Sequence, residues 1–135
     1  MKIVLDTNCL LMAISDRSRY YKIWREFLEG GYSLCITNEI LEEYVEVVGR
    51  NISERAAEAV VYLMLTRPNV EFYDPHFRFQ LIEPDPDDNK FVDCAIAASA
   101  KYLVSEDHHF NKLKDIAFPH VDVITIEQFL LEISK

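Results

Sequence analysis

The sequence predicts an α/β protein in which a central parallel β-sheet is flanked by helices. Short apolar segments rich in β-branched residues alternate with amphipathic helical segments along the chain. The 135 residues are enough for one domain over 1–135, and they contain no repeat, linker or low-complexity stretch. Half of the residues are hydrophobic, which suffices for an ordinary core. We therefore expect a single Rossmann-like, three-layer domain.

The first half of the chain supplies two strands and four helices. Residues 3–5 form a short apolar run with β-branched members, which is typical of a buried strand, and a helix over 8–14 follows. Apolar residues at helical spacing predict a helix over 20–28, which the glycines at 30 and 31 end. A strand over 32–36 precedes a helix from Thr37 to about 49. A second helix runs from Ser53 to 66, and Thr37 and Ser53 are residue types that cap helices.

The second half continues the alternation. We expect a short strand over 70–73, a loop over 75–86 and a helix that begins at Asp87 or Asp88 and ends near 101. A strand over 102–104, a helical piece over 108–114, a strand over 121–125 and a helix over 126–133 complete the chain. Strands separated by helices pair in parallel and are covered on both faces.

Composition and charge exclude several classes of protein. No apolar run approaches the roughly 18 residues of a membrane span, and we expect a cytoplasmic protein. The three cysteines, an odd number, stand in apolar contexts, which favours buried reduced thiols over a disulfide framework. The net charge is -9, and a bare acidic surface repels nucleic acid. The charge leaves open an enzyme whose clustered carboxylates bind a cation that receives phosphate.

Two carboxylates follow strands that should lie side by side. Asp6 comes directly after the strand over 3–5, and Asp107 follows the strand over 102–104. Ligands of parallel sheets bind at the carboxyl ends of the strands, so both residues are candidates for one site. Helix capping at Asp6 and a turn role at Asp107 remain open alternatives.

Asp93 is the most unusual acidic residue. Its helix is apolar nearly all round and should be buried, and an ionised carboxylate there is costly unless it is paired or binds metal. A metal site is favoured, and a salt bridge to an arginine is the alternative. Asp88 lies about 140° round the helix from Asp93, so it is a helix cap or a secondary ligand.

The helix from Thr37 carries four glutamates opposite its apolar stripe, and its periodicity does not single out one of them. They are Glu39, Glu42, Glu43 and Glu46. Carboxylates from several elements, without a cysteine or histidine ligand cluster, suit Mg²⁺ or Mn²⁺. The implied chemistry is metal-assisted hydrolysis of a phosphate ester. No glycine-rich phosphate loop suggests a kinase or nucleotidase.

At these residues the sequence resembles the PIN-domain nucleases. The matching pieces span nearly the whole chain and are residues 3–8, 40–48, 85–95, 103–107 and 123–130. The stretch over 85–91 resembles a stand-alone PIN subgroup, related to the VapC-like toxins, more than the short toxins of toxin–antitoxin pairs. The resemblance implies a PIN-like parallel sheet and a ribonuclease that cleaves single-stranded RNA with Mg²⁺ or Mn²⁺ held by carboxylates.

The resemblance also assigns roles to particular residues. It makes Asp6 a direct metal ligand, favours Glu43 over Glu42, and makes Asp93 and Asp107 the third and fourth acids. In the stand-alone subgroup an acid is expected at Asp88 as well as at Asp93. Asn8 and Ser105 stand where the family places polar residues near the metal.

The signals for RNA contacts and protein partners are weaker in the sequence than those for the metal site. Basic side chains that could guide RNA are Arg17, Arg19, Lys22, Arg25 and Arg50, with solvated surface charge as the alternative. The family also suggests a homodimer and an antitoxin protein as partners. The histidines at 108, 109 and 120 could assist proton transfer or simply lie on the surface.

Three other functions compete with the nuclease. A catalytically inactive PIN-like module would bind RNA or protein without turnover. A phosphatase using Asp6 as nucleophile usually has a second aspartate two residues on, where this chain has Asn8. A receiver-type signalling domain would need a strand-terminal lysine, and the strands of this sequence offer none.

Overall fold

The computed structural model describes residues 1–74, 89–116 and 119–135. The strands are β1 (Lys2–Leu5), β2 (Ser33–Ile36), β3 (Val70–Phe72), β4 (Tyr102–Val104) and β5 (Val123–Ile124). The helices are α1 (Thr7–Ile14), α2 (Tyr21–Leu28), α3 (Asn38–Asn51), α4 (Glu54–Thr66), α5 (Asn89–Ala98) and α6 (Ile126–Ile133), with a 3₁₀ helix at His108–Asp115. The predicted loop over 75–86 and the predicted cap at Asp87 or Asp88 lie outside the described residues.

The five strands form one parallel sheet in the order β3-β2-β1-β4-β5, flanked by the helices. The predicted fold class is therefore confirmed. β1 lies at the centre, where Ile3 pairs with Leu34 of β2 and with Tyr102 of β4. Because β2, β1 and β4 are parallel neighbours, the residues that follow them share one edge of the sheet. No helix in the described part of the chain is both long and apolar enough to cross a membrane.

Local signals fix most of the helix ends where the sequence predicts them. The Thr37 and Ser53 side chains accept hydrogen bonds from the backbone amides of Ile40 and Ala56, so both residues cap their helices. Helix α2 ends at Leu28, two residues before Gly30, whose φ of 81° is left-handed, and the Gly31 amide donates a hydrogen bond back to the Glu26 carbonyl. Such an ending favours glycine because a Cβ disfavours the left-handed backbone.

Helix α5 ends earlier than the sequence predicts, at Ala98 instead of near residue 101. Ser99 has a φ of 51°, and the amides of Ser99 and Ala100 donate to the carbonyls of Ile96 and Ala95. This is the bonding of a Schellman ending, with a serine where glycine is usual. The early end frees Lys101, whose amide donates to the Lys2 carbonyl as β4 begins.

The last strand is also shorter than predicted, with two residues instead of 121–125. Thr125 belongs to the next helix, because its side chain accepts from the Gln128 amide while the Gln128 side chain accepts from the Thr125 amide. This capping box ends the extended conformation one residue after Ile124.

The core surrounds the central strand, and all three cysteines belong to it. The Cys9, Cys35 and Cys94 thiols are free and buried, as the odd count predicts. Burial raises the pKa of Cys35 to about 11 and that of Cys94 to about 12, and it raises the pKa of Cys9 as well. Thiolate is the reactive form of a cysteine, so these side chains should be inert in the native state.

We expect the folded protein to resist alkylation by iodoacetamide at mildly alkaline pH. In denaturant, all three cysteines should react at the rate of a model thiol, because both burial and the raised pKa are then lost. Mass spectrometry after a timed exposure measures the labelled fraction at each position. Rapid native labelling of Cys94 would contradict the buried position of α5.

Candidate metal centre

The carboxyl edge of the sheet begins with Asp6, which follows the central strand. Asp6 is 7% exposed and holds the N-cap position of α1, yet its side chain makes no capping hydrogen bond. Its carboxylate instead accepts a hydrogen bond from the Ser105 hydroxyl at 2.7 Å. The capping alternative for Asp6 is therefore not what this structure shows.

Ser105 connects Asp6 to Asp107. The same Ser105 oxygen accepts a hydrogen bond from the Asp107 amide at 3.0 Å. The Asp107 carboxylate in turn accepts the His109 amide at 2.9 Å, which caps the 3₁₀ helix. Asp107 thus has the turn role that the sequence left open, and it also lies on the same edge as Asp6.

Glu43 approaches this edge from α3. Its side chain is 30% exposed, while Glu39, Glu42 and Glu46 are exposed residues. One Glu43 oxygen accepts a hydrogen bond from the Thr7 hydroxyl, next to Asp6 in the chain, and the other lies 2.8 Å from the Lys90 ammonium. Among the four glutamates, Glu43 is therefore the least exposed and the one that contacts Thr7 beside Asp6, while Glu39 lines a cleft beside Asp93.

Asp93 stands on helix α5, the helix that also carries Lys90. It is 3% exposed, as the apolar character of its helix predicts. Together with Thr37, which follows β2, and with Lys90, Asp93 lines a small cleft of about 70 Å³. Lys90 precedes Asp93 by three residues on α5, so the two side chains lie on the same face of the helix. Lys90 therefore links the Glu43 carboxylate to the Asp93 cleft.

The surroundings of Asp6 disfavour its ionised carboxylate when no cation is bound beside it. Burial raises the pKa of Asp6, and the negative charges of Glu43 and Asp107 raise it further, while hydrogen bonds from Ser105 and from the Thr7 backbone lower it. A buried carboxylate beside two others is a donor set that a divalent cation would neutralise. The ligand atoms are oxygens, which suits the chemistry of Mg²⁺ or Mn²⁺. The oxygens of Asp6, Glu43 and Asp107 do not all lie within 4.8 Å of one another, so an ion bound here would draw them closer together.

The other predicted residues take varied positions. Asn8 is exposed on the first turn of α1, and Asp88 lies outside the described residues. Arg19 forms an ion pair at 2.9 Å with Glu127 at the start of α6, close to the carboxyl edge. Lys22 contacts Ser134 at the opposite end of α6, and Arg17 is exposed.

Arg50 lies far from the carboxyl edge. It is thirteen residues after Thr37 along α3, and a helix rises 1.5 Å per residue, so the separation along the axis is about 20 Å. Its guanidinium pairs with Glu46 on the exposed surface at 3.4 Å. The structure does not bring Arg50, Lys22 and Asp6 together.

Thr7 and Lys90 are contacts that the sequence reasoning missed. The spacing of Lys90 and Asp93 on one helix face was an available signal, because residues three apart are neighbours on a helix. The Lys90–Glu43 pair itself was not predictable, since the partners stand on different helices.

Tyr44 connects helix α3 to the end of the central strand, just before Asp6. Its side chain is fully buried on α3, and its hydroxyl donates a hydrogen bond to the carbonyl of Leu5, the residue before Asp6. We expect Tyr44→Phe to lower the free energy of unfolding by about 1–2 kcal/mol, since it removes a buried donor and leaves its acceptor. Urea unfolding measures the change.

The exposed Tyr62 provides a matched control for Tyr44. Its side chain stands in solvent on α4, so Tyr62→Phe should change the unfolding midpoint by less than about 0.5 kcal/mol. Equal effects of the two substitutions would contradict the role assigned to the Tyr44 hydroxyl.

Fold and site together define an α/β protein with buried and half-buried carboxylates gathered at the carboxyl edge of a parallel sheet. A family model described as the PIN domain matches residues 2–109. The chain therefore belongs to the PIN-domain family, whose members are generally nucleases and typically use divalent metal ions.

Solved structures with the same fold include bacterial and eukaryotic PIN domains. VapBC2 of Rickettsia felis, bound to a DNA fragment from its promoter, has a TM-score of 0.63 at 19% identity and covers 93% of this chain and 98% of its own. VapC20 of Mycobacterium tuberculosis, a toxin that cleaves the sarcin–ricin loop, scores 0.60 at 16% identity, with 81% and 92% covered. The RRP44 PIN domain of T. brucei scores 0.53 at 13%, with 97% and 80% covered. A search of curated protein sequences finds no match.

Proposed function

We propose that this protein is a metal-dependent endoribonuclease that hydrolyses phosphodiester bonds of single-stranded RNA. The observation that carries the proposal is the grouping at one sheet edge: Asp6 beside Ser105 and Asp107, with Glu43 drawn inward next to Thr7. Membership of the PIN-domain family supports it. A purely structural edge would not need a buried Asp6 carboxylate whose pKa is raised by the negative charges of Glu43 and Asp107.

In this proposal, Mg²⁺ or Mn²⁺ would be held by Asp6, Asp93, Asp107 and Asp88. The bound ion would polarise the phosphodiester and lower the pKa of an attacking water. Glu43, held by Thr7 and Lys90, accepts the proton of that water, and Ser105 keeps Asp6 and Asp107 in register. Asn8 supports the site from the first turn of α1.

Among the described residues, Lys90 makes the shortest ion pair measured for any of these carboxylates, at 2.8 Å from Glu43. Its side chain is only 13% exposed and it lines the cleft beside Asp93. In a protein of net charge -9, we assign to Lys90 the contact with the RNA phosphate at the site. Arg19, at the same edge, is the next candidate, and Arg17, Lys22 and Arg50 are assigned weaker roles farther along the RNA.

Protein partners belong to the proposal as well. An antitoxin and a second copy of the chain are proposed as partners, supported by the fold that this chain shares with VapBC toxin–antitoxin complexes. A groove of about 500 Å³ between α1, α2 and α4 has an apolar wall that includes Trp24 and Val60 and could receive a partner segment. Light scattering of the purified protein tests the homodimer.

The decisive experiment is cleavage of a pooled, end-labelled single-stranded RNA library in Mn²⁺, in Mg²⁺ and in EDTA. We expect cleavage that needs metal and that Asp93→Asn and Asp107→Asn abolish. The matched control is Asp122→Asn, which removes the same charge from an exposed residue that pairs with His120. Tight RNA binding without turnover in either metal would instead favour the inactive binding module.

A further inference from the structure

Two histidines lie against Asp107 at the start of the 3₁₀ helix. Nδ1 of His109 is 3.2 Å from Oδ1 of Asp107, and Nδ1 of His108 is 3.9 Å from the same oxygen. One ligand atom from each of the three residues lies within 4.8 Å of the others. Over residues 1–74, 89–116 and 119–135, no other group of three metal-ligating side chains comes this close.

The backbone holds these side chains together. Asp107 is tied to Ser105 through its amide and to the His109 amide through its carboxylate. The carboxylate of the neighbouring Glu106 accepts a hydrogen bond from the Ile126 amide at 2.8 Å, at the start of α6. Glu106 therefore contacts α6 and is not part of the group of three. The two imidazole rings lie with their centroids 4.4 Å apart and their planes tilted by 47°. Both rings thus stand beside one fixed carboxylate.

We propose that Asp107, His108 and His109 form a binding site for a borderline transition-metal ion such as Zn²⁺, and this site shares Asp107 with the proposed oxygen-ligand centre at Asp6. Imidazole nitrogens suit zinc, copper, iron and nickel, whereas Mg²⁺ takes oxygen ligands. Tetrahedral ligands at Zn–N and Zn–O lengths of about 2.1 Å lie about 3.4 Å from one another. The distances of 3.2 and 3.9 Å to Asp107 lie on either side of that value, so small side-chain rotations suffice.

A plain histidine–carboxylate ion pair is the rival explanation, and this chain contains an internal comparison for it. Nε2 of His120 is 2.8 Å from Oδ1 of Asp122, closer than either contact of Asp107. That pair has one histidine only and does not form a group of three ligand atoms. If a close His–Asp pair were enough to bind zinc, His120 would serve as well as His109.

The test is zinc binding by the untagged protein at neutral pH, measured by competition with a chromophoric chelator. The variants are His108→Ala, His109→Ala and, as a milder change, His109→Gln; His120→Ala is the matched control. Circular dichroism and thermal melting establish that each variant is folded. Asp6→Asn is included because it alters the oxygen-ligand centre and leaves both imidazoles in place.

We expect the wild-type chain, His120→Ala and Asp6→Asn to bind Zn²⁺ at this histidine site with similar affinity. Each change at His108 or His109 should weaken binding at least about tenfold, which is the loss seen even for residues that only support a ligand. Undiminished binding in the His108→Ala and His109→Ala variants, loss of binding in His120→Ala, or no binding by the wild type would each overturn the proposal. Because the readout involves no RNA, none of these outcomes bears on the proposed nuclease activity.

Discussion

Asp6→Asn is expected to abolish metal-dependent RNA cleavage and, at the same time, to raise the melting temperature of the metal-free protein. The substitution keeps the shape of the side chain and an oxygen that can accept the Ser105 hydroxyl hydrogen. It removes a charge that is 7% exposed and that stands near the charges of Glu43 and Asp107. Unpaired buried charge is costly, so the metal-free fold should gain stability.

The loss of RNA cleavage and the gain in melting temperature of Asp6→Asn can both be estimated. Loss of residues that merely support a metal ligand costs 10–100-fold, so loss of the ligand itself should reduce cleavage by at least about 100-fold. Each kcal/mol gained in stability corresponds to a rise of roughly 4 °C in melting temperature for a domain of this size. Calorimetry in EDTA measures the gain.

In the presence of Mn²⁺, the wild type should become more stable than Asp6→Asn. An ion at about 100 times its Kd stabilises a protein by about 2.7 kcal/mol, and only the wild type should receive this in full. Asp122→Asn controls for the change in net charge, because Asp122 is exposed on the surface. Full cleavage by Asp6→Asn, or a lower melting temperature in EDTA, would contradict the placement of Asp6 at the metal centre.

Lys90→Met is expected to strengthen divalent metal binding while it lowers RNA cleavage. Lys90 pairs with Glu43 at 2.8 Å and lines the cleft with Asp93, so its ammonium repels a cation bound by these carboxylates. At an effective dielectric constant near 20, unit charges within about 8 Å interact by about 2 kcal/mol. Removal of Lys90 should therefore tighten binding of the divalent Mn²⁺ by at least roughly tenfold, since tenfold is 1.4 kcal/mol.

Cleavage should fall for a different reason. Without Lys90, Glu43 keeps its hydrogen bond with Thr7 but loses its ion pair. The site also loses the contact with the RNA phosphate that we assign to Lys90. We expect kcat/KM to drop about 100-fold, the loss that follows removal of one positioned electrostatic contact in other enzymes. Isothermal titration with Mn²⁺ and single-turnover cleavage separate the two effects.

Two substitutions serve as controls for Lys90→Met. Lys90→Arg keeps the positive charge and should leave Mn²⁺ affinity near that of the wild type. Lys101→Met removes an exposed lysine, 3.9 Å from Glu132 on α6, and should change neither property. Weaker metal binding together with lost cleavage in Lys90→Met would show that Lys90 acts only by maintaining the fold.

Much of the fold follows from local signals in the sequence. The caps at Thr37 and Ser53 and the left-handed Gly30 act within one turn of chain, so residue types alone predict where those helices begin or end. The apolar circumference of α5 predicts that Asp93 is buried, because burial of a helix depends on all its faces. The Schellman ending at Ser99 was missed, since serine seldom takes the left-handed conformation that glycine takes freely.

The sequence by itself determined the fold class and, through the rule that parallel strands end at a common edge, the neighbourhood of Asp6 and Asp107. Only the tertiary structure decided which glutamate turns inward and that Lys90 joins it, because the periodicity of α3 treats its glutamates alike. The hydrogen bond between Ser105 and Asp6 joins residues 99 positions apart. Contacts of that range depend on how the strands and helices pack, and a pattern that extends over a few residues carries no information about them.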